Sequence, residues 1–170
     1  TDKKVAIEID GHSTNELLDV GEKFTKLSDR IILKIPMSEY SLEAFSELKK
    51  SNVETFCTTI FTLNQAVIAA NAGVTHVLPF CEPFLDVNKD STELIREISK
   101  TFEGWENRPF ITAALVRSVE TAHKAIKDGA DGIIIFWPIF KEMIQNKFTD
   151  EWNKTFLDQW NGIYKSGNLD

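Results

Sequence analysis

Ile31-Ile32-Leu33-Lys34-Ile35-Pro36 is the stretch that decides the fold. A short apolar run rich in β-branched side chains is the pattern of a strand buried on both faces of a parallel sheet. Lys34 stands in that run where a charge is costly. An isolated ammonium there must be paired, or desolvation drives it toward the neutral amine. A neutral amine on a rigid strand is what imine-forming enzymes use to attack a carbonyl. The plainer alternative is a lysine that reaches water with its head group or pairs with an acid. Both readings stand on this stretch alone.

Working outward, five further apolar runs read as strands: Val5 to Ile9, Thr55 to Cys57, His76 to Leu78, Ile111 to Ala114 and Gly132 to Phe136. Amphipathic stretches alternate with them, at Thr14 to Leu27, Ser41 to Lys49, Leu63 to Asn71, Ser91 to Thr101 and Val119 to Lys127. Ser41 is the expected N-cap of the second of these, and Asp90 or Ser91 of the fourth. Ala72-Gly73 and Asp128-Gly129 read as helix stops. Strict alternation of strand and helix implies parallel strands with right-handed crossovers. Strand starts recur roughly every 20 to 35 residues, the spacing of repeated βα units. Eight such units close a barrel of about 250 residues, or about 200 when compact. Six are legible here. The expectation is therefore either an open six-stranded sheet or a barrel of which the first two units are not in this chain. A final segment, Asp150 to Tyr164, places Trp152, Phe156, Trp160 and Ile163 on one helical face and needs a surface to cover it.

The 170 residues suit one domain with a sizeable core. Hydrophobic residues make up 42% and charged residues 26%, the balance of an ordinary globular chain. A net charge of −7 argues against nucleic acid or an anionic membrane as partner. Cys57 and Cys81 lie in or beside apolar runs without ligand spacing and read as reduced core residues. With no signal peptide and no stretch long enough to span a bilayer, the expected location is the cytoplasm.

Alternation within the strands brings chemistry together. Val5, Ile7 and Ile9 share one face of the first strand, and Ala6, Glu8 and Asp10 the other. In the second, Ile31, Leu33 and Ile35 share one face, and Ile32 and Lys34 the other. With the β-branched faces set against helices, Glu8 and Lys34 both point inward from neighbouring strands, near the ends where barrel active sites form. An acid beside an imine-forming lysine can carry the proton transfers that such chemistry requires. A plain Glu–Lys ion pair gives the same pattern. Thr58, at the end of the next strand, offers a hydroxyl that can hold a water for the acid, or a local cap.

With Lys34, Glu8 and Thr58 assembled, the chain resembles the transaldolase family, in particular the small-subunit branch that includes the fructose-6-phosphate aldolases. Ile-Leu-Lys-Ile-Pro-Met (32–37) resembles the lysine-bearing strand, and Ala-Ile-Glu-Ile-Asp (6–10) the acid-bearing strand. Residues 55–65, Thr-Phe-Cys-Thr-Thr-Ile-Phe-Thr-Leu-Asn-Gln, resemble the threonine-bearing strand and its helix. Ala-Gly-Val-Thr-His-Val-Leu-Pro-Phe (72–80) resembles the segment ending in Pro-Phe. Ala113-Ala114 with Arg117, Gly129-Ala130-Asp131 and the tail from Phe148 to Trp160 follow in order, so the resemblance covers the whole chain.

The resemblance implies a TIM (β/α)8 barrel. This chain would supply about six βα units, strands 3 to 8, as a single domain over residues 1–170, with residues 150–164 as the closing helix. It further implies a Schiff-base transfer of a dihydroxyacetone unit between sugar phosphates, in the pentose phosphate pathway, without metal or organic cofactor. Lys34 would be the nucleophile, Glu8 and Thr58 would position the relay water, and Phe80 and Arg117 would contact substrate. Glutamate at 8 and phenylalanine at 80 favour transaldolase over aldolase, which carries tyrosine at the latter place. The branch assembles as rings of five, often paired, so a homo-oligomer (pentamer or decamer) is expected.

Three departures from the pattern are legible. The family's first-strand aspartate and second-strand Thr-Asn-Pro have no counterpart in this chain. Pro83 stands where a phosphate-binding arginine is expected, and Leu115 where a phosphate-holding serine is expected. These favour, as alternatives, an aldolase-like enzyme with an altered or non-phosphorylated substrate, or a catalytically inactive barrel retained for assembly. His12, His76 and His123 lack metal-ligand spacing. No glycine-rich phosphate loop and no nucleophile elbow occurs. Trp105, Trp137, Trp152 and Trp160 read as core and interface residues.

Overall fold

The computed structural model describes residues 2–82 and 90–165. Pro83 therefore lies outside the described residues. Two compact units are present, Thr1–Ile135 and Phe136–Asp170.

The first unit is a run of βα repeats: β1 (Val5–Glu8), α1 (Thr14–Thr25), β2 (Ile31–Pro36), α2 (Glu39–Lys50), β3 (Thr55–Ile60), α3 (Leu63–Ala72), β4 (His76–Pro79), α4 (Glu93–Thr101), β5 (Phe110–Val116), α5 (Val119–Lys127) and β6 (Gly132–Ile135). All the strands pair in parallel with their sequence neighbours, in the order β1-β2-β3-β4-β5-β6. Six parallel strands curl with a helix after each of the first five, which is the architecture of a partial TIM barrel.

The core lies between the sheet's outer face and the helices. Leu33, Ile35, Cys57, Val77, Ile111 and Ala113 project from the strands, and Leu17, Phe45, Ala66, Ile95, Ile98 and Ala122 meet them from the helices, all essentially inaccessible. Gly21 of α1 fixes the side: a β-carbon there would come within 2.8 Å of Leu33 Cδ1 and 3.6 Å of Ile9 Cδ1. Ile9 and Leu33 thus face α1, and the alternate residues Glu8 and Lys34 take the opposite, inner face.

Helix boundaries follow local hydrogen bonding. Ser13 caps α1 by accepting from Glu16 N at 3.2 Å. The N-cap of α2 is Ser38 rather than Ser41. Both serines belong to a reciprocal capping box, in which Ser41 fills the third helical position and its Oγ accepts from Ser38 N at 2.8 Å. α4 begins at Glu93 with Thr92 as cap residue, later than Asp90 or Ser91. The reason is that Asp90 Oδ1 accepts from Thr92 N, a turn formed ahead of the helix. Gly73 closes α3 with φ +91, a conformation that favours glycine. The strands β3 and β5 run past their expected ends because each contains a bulge. Their registers shift between Cys57 and Ile60 and between Ala113 and Val116, where Thr59 (φ 57) and Leu115 (φ 56) adopt left-handed backbone.

The second unit holds α6 (Trp137–Met143) and α7 (Lys147–Lys165). α6 is not anticipated by the sequence: seven residues opening on Trp-Pro are too few to show a helical period. α7 covers the segment expected to be helical from Asp150 and starts three residues earlier. Its apolar residues Phe148, Trp152, Phe156, Leu157, Trp160 and Ile163 are all exposed.

Candidate active site

Five strands contribute to one layer of the inner face. Register places Glu8 opposite Lys34, Lys34 opposite Phe56, Phe56 opposite His76, and His76 opposite Phe110. Side chains at such positions on adjacent strands are neighbours. Glu8 and Lys34 use that proximity directly. Lys34 Nζ donates to Glu8 Oε2 in an ion pair whose lysine side chain is 23% exposed and whose glutamate is 54% exposed. The strand meets its misplaced charge by pairing it with a half-exposed carboxylate.

Thr58 sits opposite Pro36, two residues further along β3 than Phe56, and so shares the face of Phe56 and Lys34 one step toward the C-terminal ends of the strands. It is 1% exposed, and its Oγ1 has no hydrogen-bond partner among the described residues. Buried hydroxyls are rarely left so. One that is unpaired on a face carrying an acid and an amine is suited to hold an internal water. The next residue adds strain at the same place. Thr59 holds its left-handed backbone by donating to Thr58 O at 2.7 Å and accepting from Met37 N at 3.1 Å. Bulges of this kind re-aim side chains near functional sites.

Phe80 and Arg117 lie further out. Phe80 bridges to Ala114 beyond the end of β4, donates its backbone N–H to Ile60 O at 3.0 Å, and meets Phe61 edge-on at 5.3 Å. Arg117 follows β5 and is exposed. Its backbone N–H donates to Glu82 Oε1 at 3.1 Å, so a carboxylate of the chain itself lies against the loop that carries the guanidinium. The structure therefore joins Glu8 and Lys34 directly, aligns Thr58 with them, and sets Phe80 and Arg117 at the rim.

Three further members of the layer, Phe56, His76 and Phe110, are absent from the catalytic and substrate-contacting residues named above. The signal of the first two was present in the alternation Phe56/Thr58 and His76/Leu78/Phe80. The imidazole lies between Phe56 and Phe110, with ring centroids at 4.2 and 5.0 Å, and its Nδ1 hydrogen-bonds Thr112 Oγ1 at 2.8 Å. Burial holds its pKa below the ordinary value, against the pull of Glu54 and Asp131. The two thiols take no part. Cys57 and Cys81 are free and buried, and burial pushes both up to about 12. No helix among the described residues is long and apolar enough to cross a membrane.

Comparison with known proteins adds an independent line. The family model for transaldolase/fructose-6-phosphate aldolase matches residues 1–163. A probable transaldolase of Thermoplasma volcanium is 31% identical over 166 residues, covering 98% of this chain and 74% of that protein. A probable transaldolase of Streptococcus pyogenes serotype M5 is 29% identical over 164 residues, covering 96% of this chain and 77% of that protein. Among solved structures, FabK from Thermotoga maritima superposes with a TM-score of 0.59 at 15% identity, over 79% of this chain. The chain spans 42% of that structure, and at such identity the likeness concerns the fold alone.

Proposed function

The chain belongs to the transaldolase/fructose-6-phosphate aldolase family, and from that premise we propose that Lys34 is the imine-forming nucleophile of a transaldolase acting on sugar phosphates. The observation that carries the proposal is the pairing of Lys34 with Glu8 on a face where the Thr58 hydroxyl is buried and has no partner among the described residues. Glu8 accepts a proton from the Lys34 ammonium, leaving the amine free to add to the ketose carbonyl. The adduct loses water to form the imine. The bond beyond the carbon next to the former carbonyl then breaks, its electron pair passing into the imine as an enamine while a proton leaves the departing aldose's hydroxyl. The enamine adds to a second aldehyde, and water releases the product and regenerates Lys34. Thr58 and Glu8 hold the water that carries these protons. Phe80 lines the substrate's path, and Arg117 offers charge to a phosphate. The reaction belongs to the pentose phosphate pathway, in the cytoplasm, and the protein works as a homo-oligomer.

A second reading has its own support. Leu115 puts an apolar side chain on a strained backbone where the family resemblance implies a phosphate-holding serine, and Glu82 lies against the Arg117 loop. Both disfavour a phosphate at that end and favour an aldolase with a neutral substrate.

Borohydride reduction in the presence of fructose 6-phosphate or dihydroxyacetone tests the shared step. The expected result is a mass adduct on Lys34, and Lys34→Ala abolishes it. Intact protein that never acquires the adduct overturns both readings. Transfer from fructose 6-phosphate to erythrose 4-phosphate, against net release of dihydroxyacetone, then separates them.

A further inference from the structure

We propose that His76 is a positioning residue for the Lys34 site, holding Phe56 beside the Lys34 side chain and making imine formation depend on the charge of its own ring. The inference rests on the role proposed for Lys34 and adds a residue to it.

The geometry is a chain of contacts along one layer. Phe56 is the register partner of Lys34 on one side and of His76 on the other. Whatever fixes the Phe56 ring thus shapes the wall against which a Lys34 adduct must fit. The fixing group is the imidazole, tilted at 43° to Phe56 across 4.2 Å and stacked within 30° of Phe110 across 5.0 Å. Thr112 Oγ1, bonded to Nδ1, sets the ring's rotation. An apolar side chain would fill the space equally well, so packing alone does not call for histidine at this position. A half-buried imidazole between two phenyl rings also has little solvent to support a charge.

The groups that act on His76 are Glu54 and Asp131, which favour the imidazolium, and Lys4, which opposes it. Burial outweighs the two carboxylates and holds the pKa of the ring below its ordinary value, which favours the neutral imidazole. Protonation puts a cation on the Phe56–Phe110 stack and converts both ring nitrogens to donors. The ring then gains by turning toward Glu54 or Asp131, which releases Phe56. Lowering the pH therefore perturbs the Lys34 wall in a step that belongs to His76.

The experiment follows the rate of borohydride-trapped dihydroxyacetone on Lys34 from about pH 4.5 to 8, a window spanning histidine titration, in wild type, His76→Phe and His76→Asn. Each profile is normalised to its own plateau. His76→Phe keeps an aromatic ring in the stack but has no proton to bind, and its profile should lack the acid-side step of the wild type. His76→Asn keeps a polar partner for Thr112 but loses the stack, and should trap about tenfold more slowly at every pH. In parallel, Phe56 ring resonances in isotopically labelled protein should move with the midpoint of the His76 imidazole. Superimposable wild-type and His76→Phe profiles, or a Phe56 ring that stays still while His76 titrates, overturn the proposal. Wild-type protein that traps nothing at any pH counts against the role of Lys34, and the Phe56 titration then decides the His76 coupling by itself.

Discussion

At the scale of single residues, Thr58 separates stability from activity. Thr58 Oγ1 is buried and has no hydrogen-bond partner among the described residues. Thr58→Val keeps the shape and removes the hydroxyl proposed to hold the relay water. The variant should stay within about 1 kcal/mol of the wild type in chemical denaturation, while the rate of Lys34 trapping falls about a hundredfold. A variant that is less stable and equally active would show Thr58 to be a packing residue. The Lys34–Glu8 pair was legible because alternation along two adjacent strands assigns faces without any knowledge of their neighbours. The left-handed backbones of Thr59 and Leu115 were not. Glycine marks such positions when it occurs, but threonine and leucine adopt them only under constraint from the surrounding bulge.

At the scale of elements, two junctions hold the layer in place. Gly21 lets α1 approach β2 closely enough to clamp Leu33, the neighbour of Lys34. Gly21→Ala forces an added carbon to within 2.8 Å of Leu33 Cδ1, and Leu33 is fully buried. Overpacking costs about 1 to 3 kcal/mol, of which alanine's better helix propensity recovers about 1. Thermal unfolding should therefore show a net loss, together with slower trapping at Lys34. The second junction is Asp131, immediately before β6. Its carboxylate accepts from Arg108 at 2.7 and 2.9 Å and from Ile111 N at 2.8 Å, tying β6 to β5. The Arg108 guanidinium, foremost, and the Ile111 amide hold its pKa below the ordinary carboxylate value. A depressed folded pKa gives stability that is fully present above the unfolded value, about 3.9, and lost as the pH falls through the folded one. Asp131→Asn should cost about 2 kcal/mol at neutral pH and flatten the acid limb of the stability profile below about pH 4. An unchanged acid limb would assign that limb to other carboxylates, such as Asp90 and Asp128 around Arg96 and Lys124, which are lowered in the same direction. The strands and long helices were legible because their periods run for many residues. α6 was not, and the start of α2 was displaced because Ser38 and Ser41 cap each other and either can be taken for the first.

At the scale of the whole molecule, the tail poses the remaining question. α7 presents Trp152, Phe156 and Trp160 at 60%, 58% and 54% exposure. Scattered exposed hydrophobics are ordinary, but three large aromatics on one helical face form a patch of the kind that proteins cover. The helix also carries its own charges away from that face, with Lys154 and Asp158 paired at 3.0 Å. A surface polar on one side and aromatic on the other is suited to a protein partner rather than to solvent. The proposed homo-oligomer supplies one, with α7 buried against a second copy of the chain. Sedimentation velocity should then give a single species several times the monomer mass. Trp152→Lys combined with Trp160→Lys should shift it to monomer, since two charges at the centre of an apolar contact are left without partners. The helix itself should survive, because lysine propagates a helix at least as well as tryptophan, so the circular dichroism of the double variant serves as the control. A wild-type chain that sediments as a monomer would instead leave α7 to be covered by something other than a second copy.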